Sequence, residues 1–370
     1  MFRYTGEYKK HTTDGRHKMD FYTFTPSPLC GGLSLSVDDE LLALLTTAHR
    51  LLGILEGMTA LSAERKIIEE VFRLKESYYS LLMDGENIDT FRIVLKARAA
   101  KRDMQTIENV ASAQRHSFGK PVTNTELSKI CSLAIYGVKS PQTVEIRSKQ
   151  IYFRKALTNL KIYTPTAPED IMPALNDLTE FIHIDNHTDI IIKATLAHYQ
   201  FDMIHPFEKR NGVVGRILTP MILFGAQYHA ASYLCISEFL YHNRGEYLDK
   251  LSSTQQGNGY SYWIKFFIKA ICYAADRSIN RISRFTEIIT DDARQVAKLE
   301  KSSRHVTPVY DYFKKHLVSD IKPIAEETGI SYNTAAKVVG LMTDTGLLKL
   351  ERSQLRHKVY CHRALEVFEA

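Results

Sequence analysis

The feature that most restricts the fold is a short polar loop between two apolar stretches. Residues 190–204 and 217–226 are apolar and long enough to form helices, and the loop between them covers residues 205–216. Pro206 argues against a continuous helix, because proline removes a backbone donor and biases His205 towards an extended conformation. Asn211-Gly212 is a turn dipeptide that tolerates positive φ. The pattern predicts a helix, a tight polar loop and a second helix.

The residues of this loop suit a phosphate ligand. The second helix would present its first backbone N–H groups and the positive end of its dipole to the loop. Arg210 and Arg216 add fixed positive charge, and His205 supplies a base that acts near neutral pH. A histidine beside a proline is more often a structural residue, so local chemistry leaves both roles open for His205.

The order of residues from His198 to Arg216 resembles the signature of the Fic family, His-x-Phe-x-Asp/Glu-Gly-Asn-Gly-Arg-x-x-Arg. The residues that match are His205, Phe207, Asn211, Gly212 and Arg216. The residues that depart are Lys209 in place of the acid, Arg210 in place of the first glycine and Val213 in place of the first arginine. The departures fall on the positions for phosphates and metal, whereas the base and the scaffold remain.

The resemblance implies a protein AMP-transferase, which moves AMP from ATP onto a serine, threonine or tyrosine hydroxyl of a target protein. His205 would be the catalytic base, and Arg216 would hold the γ-phosphate. In the family the acid at position 209 binds Mg²⁺, which a lysine cannot ligate. Two alternatives follow: Lys209, Arg210 and Arg216 replace the missing charge without a metal, or Glu208 turns into the site.

A short β-hairpin is predicted upstream of the loop. Residues 144–163 contain β-branched and aromatic side chains, with polar Thr158-Asn159 between them. In the family this hairpin is the flap, which holds the target segment by strand addition, and Arg147 and Gln150 match its pattern. The ATP-binding residues that the resemblance implies are Ile151, Tyr152, Phe207, Lys209, Arg210, Asn211, Gly212, Arg216, Tyr247 and Gln255.

An inhibitory motif is predicted at the end of an N-terminal helix. Residues 63–83 have helical apolar spacing and end at Asp84-Gly85, which by itself is an ordinary helix stop. Many Fic proteins carry an inhibitory helix with the pattern Ser/Thr-x-x-x-Glu-Gly/Asn, and Ser80 to Gly85 resembles it with aspartate in place of glutamate. The resemblance implies that Asp84 pairs with Arg216 where the γ-phosphate would bind.

The predicted fold is mainly α: a Fic helical bundle with the β-hairpin flap, followed by a winged helix-turn-helix domain. We expect an N-terminal arm and helices in residues 1–110, including the inhibitory helix at 63–85, a Fic core in 111–300 and the winged helix in 301–370. Single helices are expected over 89–116 and 276–301. Pro220 should kink or end the second signature helix.

The C-terminal segment predicts a helix-turn-helix with a wing. Ser331 would cap a recognition-like helix over 333–344, and two strands would follow. Basic residues would lie at the wing tip: Arg352, Arg356, His357 and Lys358. Such residues can contact DNA phosphates, but winged helices serve equally in protein contacts, so DNA binding and a homodimer are both open.

The composition fits a soluble globular protein, with 44% hydrophobic and 24% charged residues. The net charge of +6 suits an anionic ligand or nucleic acid without identifying either. The five cysteines lack metal-type spacing, which indicates reduced thiols in a cytoplasmic protein. No apolar run approaches the roughly 20 residues that a membrane helix needs, so we expect no membrane span.

Three functions stay open. The first is a Fic-type AMP-transferase using ATP and a protein target, which can be the protein itself, inhibited by Asp84. The second is a catalytically silent Fic fold that binds a nucleotide. The third is a DNA-binding regulator in which the Fic part only dimerises.

Overall fold

A computed structural model describes residues 6–12, 20–30, 35–88, 101–140, 142–154, 161–353 and 357–369. The predicted mainly helical fold is confirmed. The helices are α1 Asp39–Leu61, α2 Arg65–Met83, α3 Lys101–Ser117, α4 Asn124–Tyr136, α5 Ile171–His183, α6 Ile190–Ile204, α7 Asn211–Gly225, α8 Ile236–His242, α9 Arg244–Ser253, α10 Ser261–Leu299, α11 Val306–His316, α12 Ile321–Thr328, α13 Tyr332–Asp344 and α14 Glu366–Glu369.

Within the described residues, the strands form three small antiparallel sheets. They are β1 Gly6–Thr12 with β2 Asp20–Pro26, β3 Phe153–Arg154 with β4 Lys161–Tyr163, and β5 Val318–Ser319, β6 Leu348–Ser353 and β7 His357–His362 in the order β5-β7-β6. The pair β3–β4 lies where the flap hairpin is predicted, with Phe153 opposite Tyr163. Its predicted turn at Thr158-Asn159 lies outside the described residues.

The chain divides into two compact units. The first consists of Met1–Glu56, Arg73–Ile88 and Gln105–Asp276, and the second of Gly57–Phe72, Asp89–Met104 and Arg277–Ala370. The predicted division into residues 1–110, 111–300 and 301–370 stays a prediction.

Helix α6 runs through the core of the first unit. Every residue from Ile191 to Ile204 is buried, and Asp189 caps the helix by accepting hydrogen bonds from the N–H groups of Ile191 and Ile192. Trp263 on α10 is fully buried and donates a hydrogen bond from Nε1 to the Thr195 carbonyl at 2.8 Å. Each fully buried large apolar side chain contributes about 1.5–3 kcal/mol relative to its exposed state. The helix is therefore a rigid base for the residues at its C-terminal end.

Helix α7 begins at Asn211, six residues earlier than the predicted start at 217. Arg210 precedes it in a left-handed conformation (φ 63°), which turns the chain directly into the helix. Val213 and Val214 are fully buried, so the first turn packs into the core. Pro220 does not end the helix, which continues to Gly225.

Several other helix boundaries test the sequence predictions. Thr123 caps α4 by accepting a hydrogen bond from the Glu126 N–H at 3.1 Å. Of the helix expected over 89–116, α3 covers the part from 101 onwards, and 89–100 lie outside the described residues. The separate helix expected over 276–301 is wrong, because α10 continues without interruption from Ser261 to Leu299. The sequence between these residues contains neither proline nor glycine, which are the usual helix breakers.

One described helix, α1, is long and apolar enough to cross a membrane by length and composition alone. The prediction that no apolar run approaches that length is therefore wrong for α1. A core helix of a globular protein passes the same test. Near the N-terminal end of α1, Asp38 and Glu40 pair with Lys265 at 2.6 and 2.8 Å, respectively.

The second unit contains the order of elements that a winged helix requires: α11, β5, α12, α13, β6 and β7. Ser331 accepts a hydrogen bond from the Thr334 N–H and so caps α13, as predicted. Gly329 lies in the left-handed region (φ 68°) at the turn between α12 and α13. Lys358 is exposed, whereas Arg356 and the side chains of Arg352 and His357 lie outside the described residues. The winged-helix assignment and DNA binding stay predictions.

Candidate active site

A cleft of about 790 Å³ opens in the first unit beside the end of α6 and the start of α7. It brings together most of the predicted site residues: Asp84, Ile151, Tyr152, His205, Lys209, Arg210, Asn211, Gly212, Arg216 and Tyr247. Three predicted residues do not line it, namely Ser80, Phe207 and Gln255. These three support the cleft from behind.

His205 ends helix α6 in a left-handed backbone conformation (φ 50°, ψ 61°). The predicted extended conformation is therefore wrong, although Pro206 follows. The His205 N–H still donates to the Phe201 carbonyl at 2.8 Å, so the residue closes the helix while turning the chain towards the loop. This conformation costs a non-glycine residue about 1–2 kcal/mol, which the surrounding contacts must offset.

Arg147 provides the contacts that fix this turn. Its buried guanidinium donates from Nε to the His205 carbonyl (2.7 Å), from Nη2 to the Ile204 and Thr166 carbonyls and from Nη1 to the Lys149 carbonyl (2.8 Å). The Arg147 N–H also donates to the Pro206 carbonyl at 2.9 Å. Arg147 therefore joins the flap strand region to the loop and holds His205 in place.

The His205 side chain is partly exposed towards the cleft. Burial lowers the pKa of His205 to about 4, with Arg147 adding to this effect and the carboxylates of Asp202 and Asp84 opposing it. The imidazole is therefore neutral at physiological pH, which is the form that accepts a proton. Its Nδ1 is buried, so Nε2 is the nitrogen that a substrate can reach.

The side-chain amides of Asn211 and Gln255 both form hydrogen bonds to the backbone. The Asn211 amide accepts from the Phe207 N–H (2.8 Å) and donates to the Phe207 carbonyl (2.6 Å), which closes the loop. Gln255 pairs in the same two-way manner with the backbone of Thr164, at 3.0 and 2.8 Å. The Phe207 ring is buried, 6.3 Å from that of Phe201. Asn211 thus lies in the cleft lining, whereas Phe207 and Gln255 support the lining from behind.

Arg216 is bound to the end of helix α2. Its buried guanidinium donates from Nε to Ser80 Oγ (2.8 Å), and from Nη2 to the Ser80 carbonyl (2.7 Å) and to Asp84 Oδ1 (2.6 Å). The structure thus brings together the three residues that the inhibitory motif relates. Glu76 and Lys75 anchor the same helix to α8: Glu76 accepts from the Ser237 N–H at 2.9 Å, and Lys75 Nζ lies 3.2 Å from Glu238 Oε1.

Arg210 adds a second connection to the same segment. Its Nη2 donates to Glu86 Oε1 at 2.7 Å, and its Nη1 lies 3.6 Å from Asp84 Oδ2. Arg210, which stands at a glycine position of the signature, has a positive φ (63°), a conformation that strains a non-glycine residue. The residue that departs from the signature therefore contacts both carboxylates that follow α2.

Gly212 lies against the contact between Arg216 and Asp84. A Cβ added there would lie 2.8 Å from both Arg216 Nη1 and Asp84 Oδ1. A side chain would displace one of these groups. The absence of a side chain at Gly212 thus permits the Asp84–Arg216 ion pair.

Asp202 is a cleft residue to which the sequence analysis gave no role. Its Oδ2 accepts a hydrogen bond from the Tyr247 hydroxyl and lies 3.5 Å from His198 Nε2. Burial alone would raise the pKa of Asp202, but His198 and the Tyr247 hydroxyl outweigh it, and the pKa lies below its ordinary value. His198 and Asp202 are four residues apart on one helix, a spacing that places two side chains on one face and was the available signal. Tyr163 and Arg244 also line the cleft and were not predicted.

The residues present do not fit the Mg²⁺ that the family resemblance implies. Mg²⁺ is bound through carboxylates together with substrate phosphates, and position 209 holds a lysine. Within the described ranges of the chain, no group of three or more His, Cys, Asp or Glu residues is arranged to hold a metal ion.

Fold and site together define a helical domain whose histidine loop faces the end of a second helix. Residues 121–223 match the family model described as Fic/DOC family. The chain therefore contains a Fic/DOC family domain over these residues.

Two solved structures share the fold. One is a Fic family protein from Desulfovibrio desulfuricans, with a TM-score of 0.58, 15% identity and coverage of 89% of this chain and 97% of that one. The other is a Fic domain containing signaling protein from Bacteroides thetaiotaomicron, with a TM-score of 0.50, 18% identity and coverage of 64% and 95%.

Among curated proteins, the chain is 32% identical over 81 residues to the protein adenylyltransferase fic-1 of Caenorhabditis briggsae. The match covers 21% of this chain and 15% of that protein, so it spans only a small part of the relative's length.

Proposed function

We propose that the protein is a Fic-type adenylyltransferase that moves AMP from ATP to a hydroxyl side chain of a protein, and that the end of α2 inhibits it. The observation that carries the proposal is the cleft itself, where a neutral His205 faces Arg216, Lys209 and the start of α7. The similarity of the Fic region to a protein adenylyltransferase supports the reaction class.

In the proposed reaction, His205 Nε2 takes the proton of the target hydroxyl. The hydroxyl oxygen then forms a bond with the α-phosphorus of ATP, the bond from that phosphorus to the bridging oxygen of the β-phosphate breaks, and pyrophosphate leaves. The first N–H groups of α7 have no side-chain cap, so they are available to phosphate oxygens and to the charge that develops on them. Tyr247, which lines the same cleft, would contact the adenosine.

The proposed inhibition rests on competition for Arg216. A γ-phosphate that used this guanidinium would have to displace the Asp84 carboxylate, which lies 2.6 Å from it. Because the guanidinium is buried, its ion pair with Asp84 is screened less than a surface pair. ATP is therefore expected to bind productively only when the end of α2 moves away.

The test is transfer of label from α-labelled ATP to the protein itself. We expect Asp84→Gly to raise the transfer by about 5–150-fold, the usual range of a coupling between two sites. Asp84→Gly combined with His205→Ala should show no transfer. Asp185→Gly is the matched control, because Asp185 is an exposed loop residue, and it should leave the native rate unchanged. Absence of label in Asp84→Gly would overturn the proposed activity.

A second candidate is a silent Fic fold that binds a nucleotide without turning it over. Lys209, Arg210 and Val213 favour it, because they replace a metal ligand, a flexible glycine and a phosphate-binding arginine. This function predicts that ATP binds the Asp84→Gly variant and that no label is transferred, a result that calorimetry and the labelling assay distinguish together.

A further inference from the structure

We propose that the cleft binds ATP as the free triphosphate, with the side chains of Lys209 and Arg210 in place of a divalent cation. This inference rests on the proposed function and concerns the form in which its substrate binds. It depends on how the charged groups of the cleft are paired.

The acidic side chains of the cleft are placed where they do not offer a metal site. Among the described lining residues they are Asp84, Glu86, Asp202 and Glu208. Asp84 contacts Arg216 and Arg210, Glu86 contacts Arg210, and Asp202 accepts from Tyr247. Glu208 is an exposed residue of the cleft lining. Mg²⁺ is usually bound by one or two carboxylates together with substrate phosphates, and the ammonium of Lys209, the next residue, opposes a cation beside Glu208.

The basic side chains of the cleft balance the acidic ones only while α2 stays in place. The described basic residues that line it are Lys209, Arg210, Arg216 and Arg244. Asp84 and Glu86 both follow α2, so their departure would leave Arg210 and Arg216 without these carboxylates. Four basic groups would then face Asp202, which is already hydrogen-bonded, and Glu208. The resulting excess of positive charge suits an anionic polyphosphate.

Lys209 is the residue that decides between the free nucleotide and its metal complex. Its side chain is exposed within the cleft, and its carbonyl accepts a weak hydrogen bond from Cys131 Sγ at 3.4 Å, which fixes its backbone. A lysine ammonium is a compact charge that repels a divalent cation and attracts phosphate. A metal-bound triphosphate therefore offers Lys209 less net negative charge than the free one.

The same contacts couple ligand binding to release of α2 at two points. A triphosphate that contacts Arg216 displaces Asp84, and one that contacts Arg210 displaces both Glu86 and Asp84. Because binding of the phosphates and binding of the α2 end exclude each other, each weakens the other by the same factor. Arg210 is thus an inhibitory contact in one state and a phosphate ligand in the other.

The test is calorimetric titration with ATP in excess EDTA and in MgCl₂, using the full chain with His205→Ala and Asp84→Gly so that turnover and competition are removed. We expect the Kd of ATP in EDTA to be equal to or lower than that in MgCl₂. Lys209→Asp should raise the Kd in EDTA by about tenfold or more, which corresponds to a loss of about 1.4 kcal/mol of attraction. MgCl₂ should restore binding to this variant, because a carboxylate can ligate the cation. Lys209→Met should weaken binding in EDTA without any restoration by MgCl₂.

The controls separate this inference from the proposed function. Lys129→Asp makes the same charge change at an exposed lysine outside the cleft and should leave both Kd values unchanged. Binding of ATP only with MgCl₂ would overturn the inference and leave the transferase proposal standing, and loss of that Mg²⁺ effect in Glu208→Gln would identify Glu208 as the ligand. Absence of ATP binding in every condition would overturn both.

Discussion

At the scale of single residues, the site depends on two left-handed non-glycine residues, His205 (φ 50°) and Arg210 (φ 63°), at the two ends of one loop. Such conformations are uncommon and cluster where surrounding contacts over-determine them. His205 is held by Arg147, and Arg210 by Glu86 and Asp84. The loop therefore has a defined geometry before any substrate binds.

Replacement of Arg210 separates its backbone cost from its side-chain contacts. Arg210→Gly removes both the strain and the two ion pairs, whereas Arg210→Ala removes the ion pairs and keeps the strain. We expect the end of α2 to be released more readily in both variants, because it loses a contact, and ATP to bind more weakly, because the cleft loses a phosphate ligand. In urea unfolding, Arg210→Gly should be more stable than Arg210→Ala by about 1 kcal/mol. Equal stabilities of the two variants would contradict the backbone argument.

A side chain at position 212 tests the close approach of Asp84 and Arg216. Gly212→Ala should lower the free energy of unfolding by about 1–3 kcal/mol, the usual cost of overpacking, since its Cβ would lie 2.8 Å from both groups. The loss should be smaller in the Asp84→Gly background, where one of the two groups is absent. A double-mutant cycle measured by urea unfolding gives the difference, and a strictly additive cycle would contradict the geometry.

The lowered pKa of His205 predicts how stability depends on pH. The unfolded histidine takes up a proton near its ordinary pKa of 6.5, whereas the folded residue does so only near 4. Between these values the unfolded state binds more protons, so stability falls as the pH falls. From pH 7.5 to pH 5 we expect His205 to account for a loss of about 1–2 kcal/mol, which His205→Gln should abolish.

The same shift sets the acid limit of the proposed reaction. His205 stays neutral down to about pH 4, so the rate of label transfer by Asp84→Gly should not decline around pH 6.5 on account of the base. A transfer rate that fell with an apparent pKa of 6.5 would show that the base titrates as an ordinary histidine.

At the scale of elements, the side chain of Arg147 joins the flap region to the histidine loop. Arg147 donates hydrogen bonds to four backbone carbonyls on three segments. Arg147→Lys keeps the charge but loses the fork of donors, and buried carbonyls left without a partner cost about 1–3 kcal/mol each. We expect a destabilisation of at least about 2 kcal/mol by urea unfolding and a loss of label transfer in the Asp84→Gly background. Unchanged transfer would show that the position of His205 does not depend on Arg147.

The sequence predicted the elements around the site better than their ends. The apolar spacing of residues 190–204 correctly predicted α6. The glycine of Asp84-Gly85 correctly predicted the end of α2. The start of α7 at Asn211 was missed, because burial of Val213 and Val214 extends the helix into residues that resemble a turn. Tertiary packing, which no local pattern contains, decided that boundary.

Most of the predicted site residues line the cleft, whereas Asp202, Tyr163 and Arg244 line it as well and were not predicted. Gln255 was expected near the nucleotide, but it pairs with the backbone of Thr164. Asp202 was passed over because a buried carboxylate on an apolar helix shows its partners only in three dimensions. The Arg210–Glu86 contact joins residues 124 positions apart, which local sequence cannot relate.

At the scale of the whole molecule, the second compact unit contains a buried apolar cluster. In the second unit, Phe313 is fully buried in a cluster with Val309, Ile324 and Val339. Phe313→Ala should lower the free energy of unfolding of the second unit by about 3–5 kcal/mol, and with it the melting temperature of that unit. Binding of ATP should raise the melting temperature of the first unit. Phe181→Ala, at a fully buried position of the first unit, is the matched control. A single transition that both variants shift equally would show that the units unfold together.

The only tryptophan in the sequence lies beside the cleft. Trp263 is fully buried, with its ring centroid 5.9 Å from that of His198 and 5.8 Å from that of Tyr247, the residue that reaches the cleft. Indole fluorescence therefore comes from this one residue, and the neighbouring histidine and tyrosine side chains influence its quantum yield. Ligand entry and release of α2 can thus be followed in real time by stopped-flow fluorescence on the unlabelled protein, with Trp263→Phe as the dark reference.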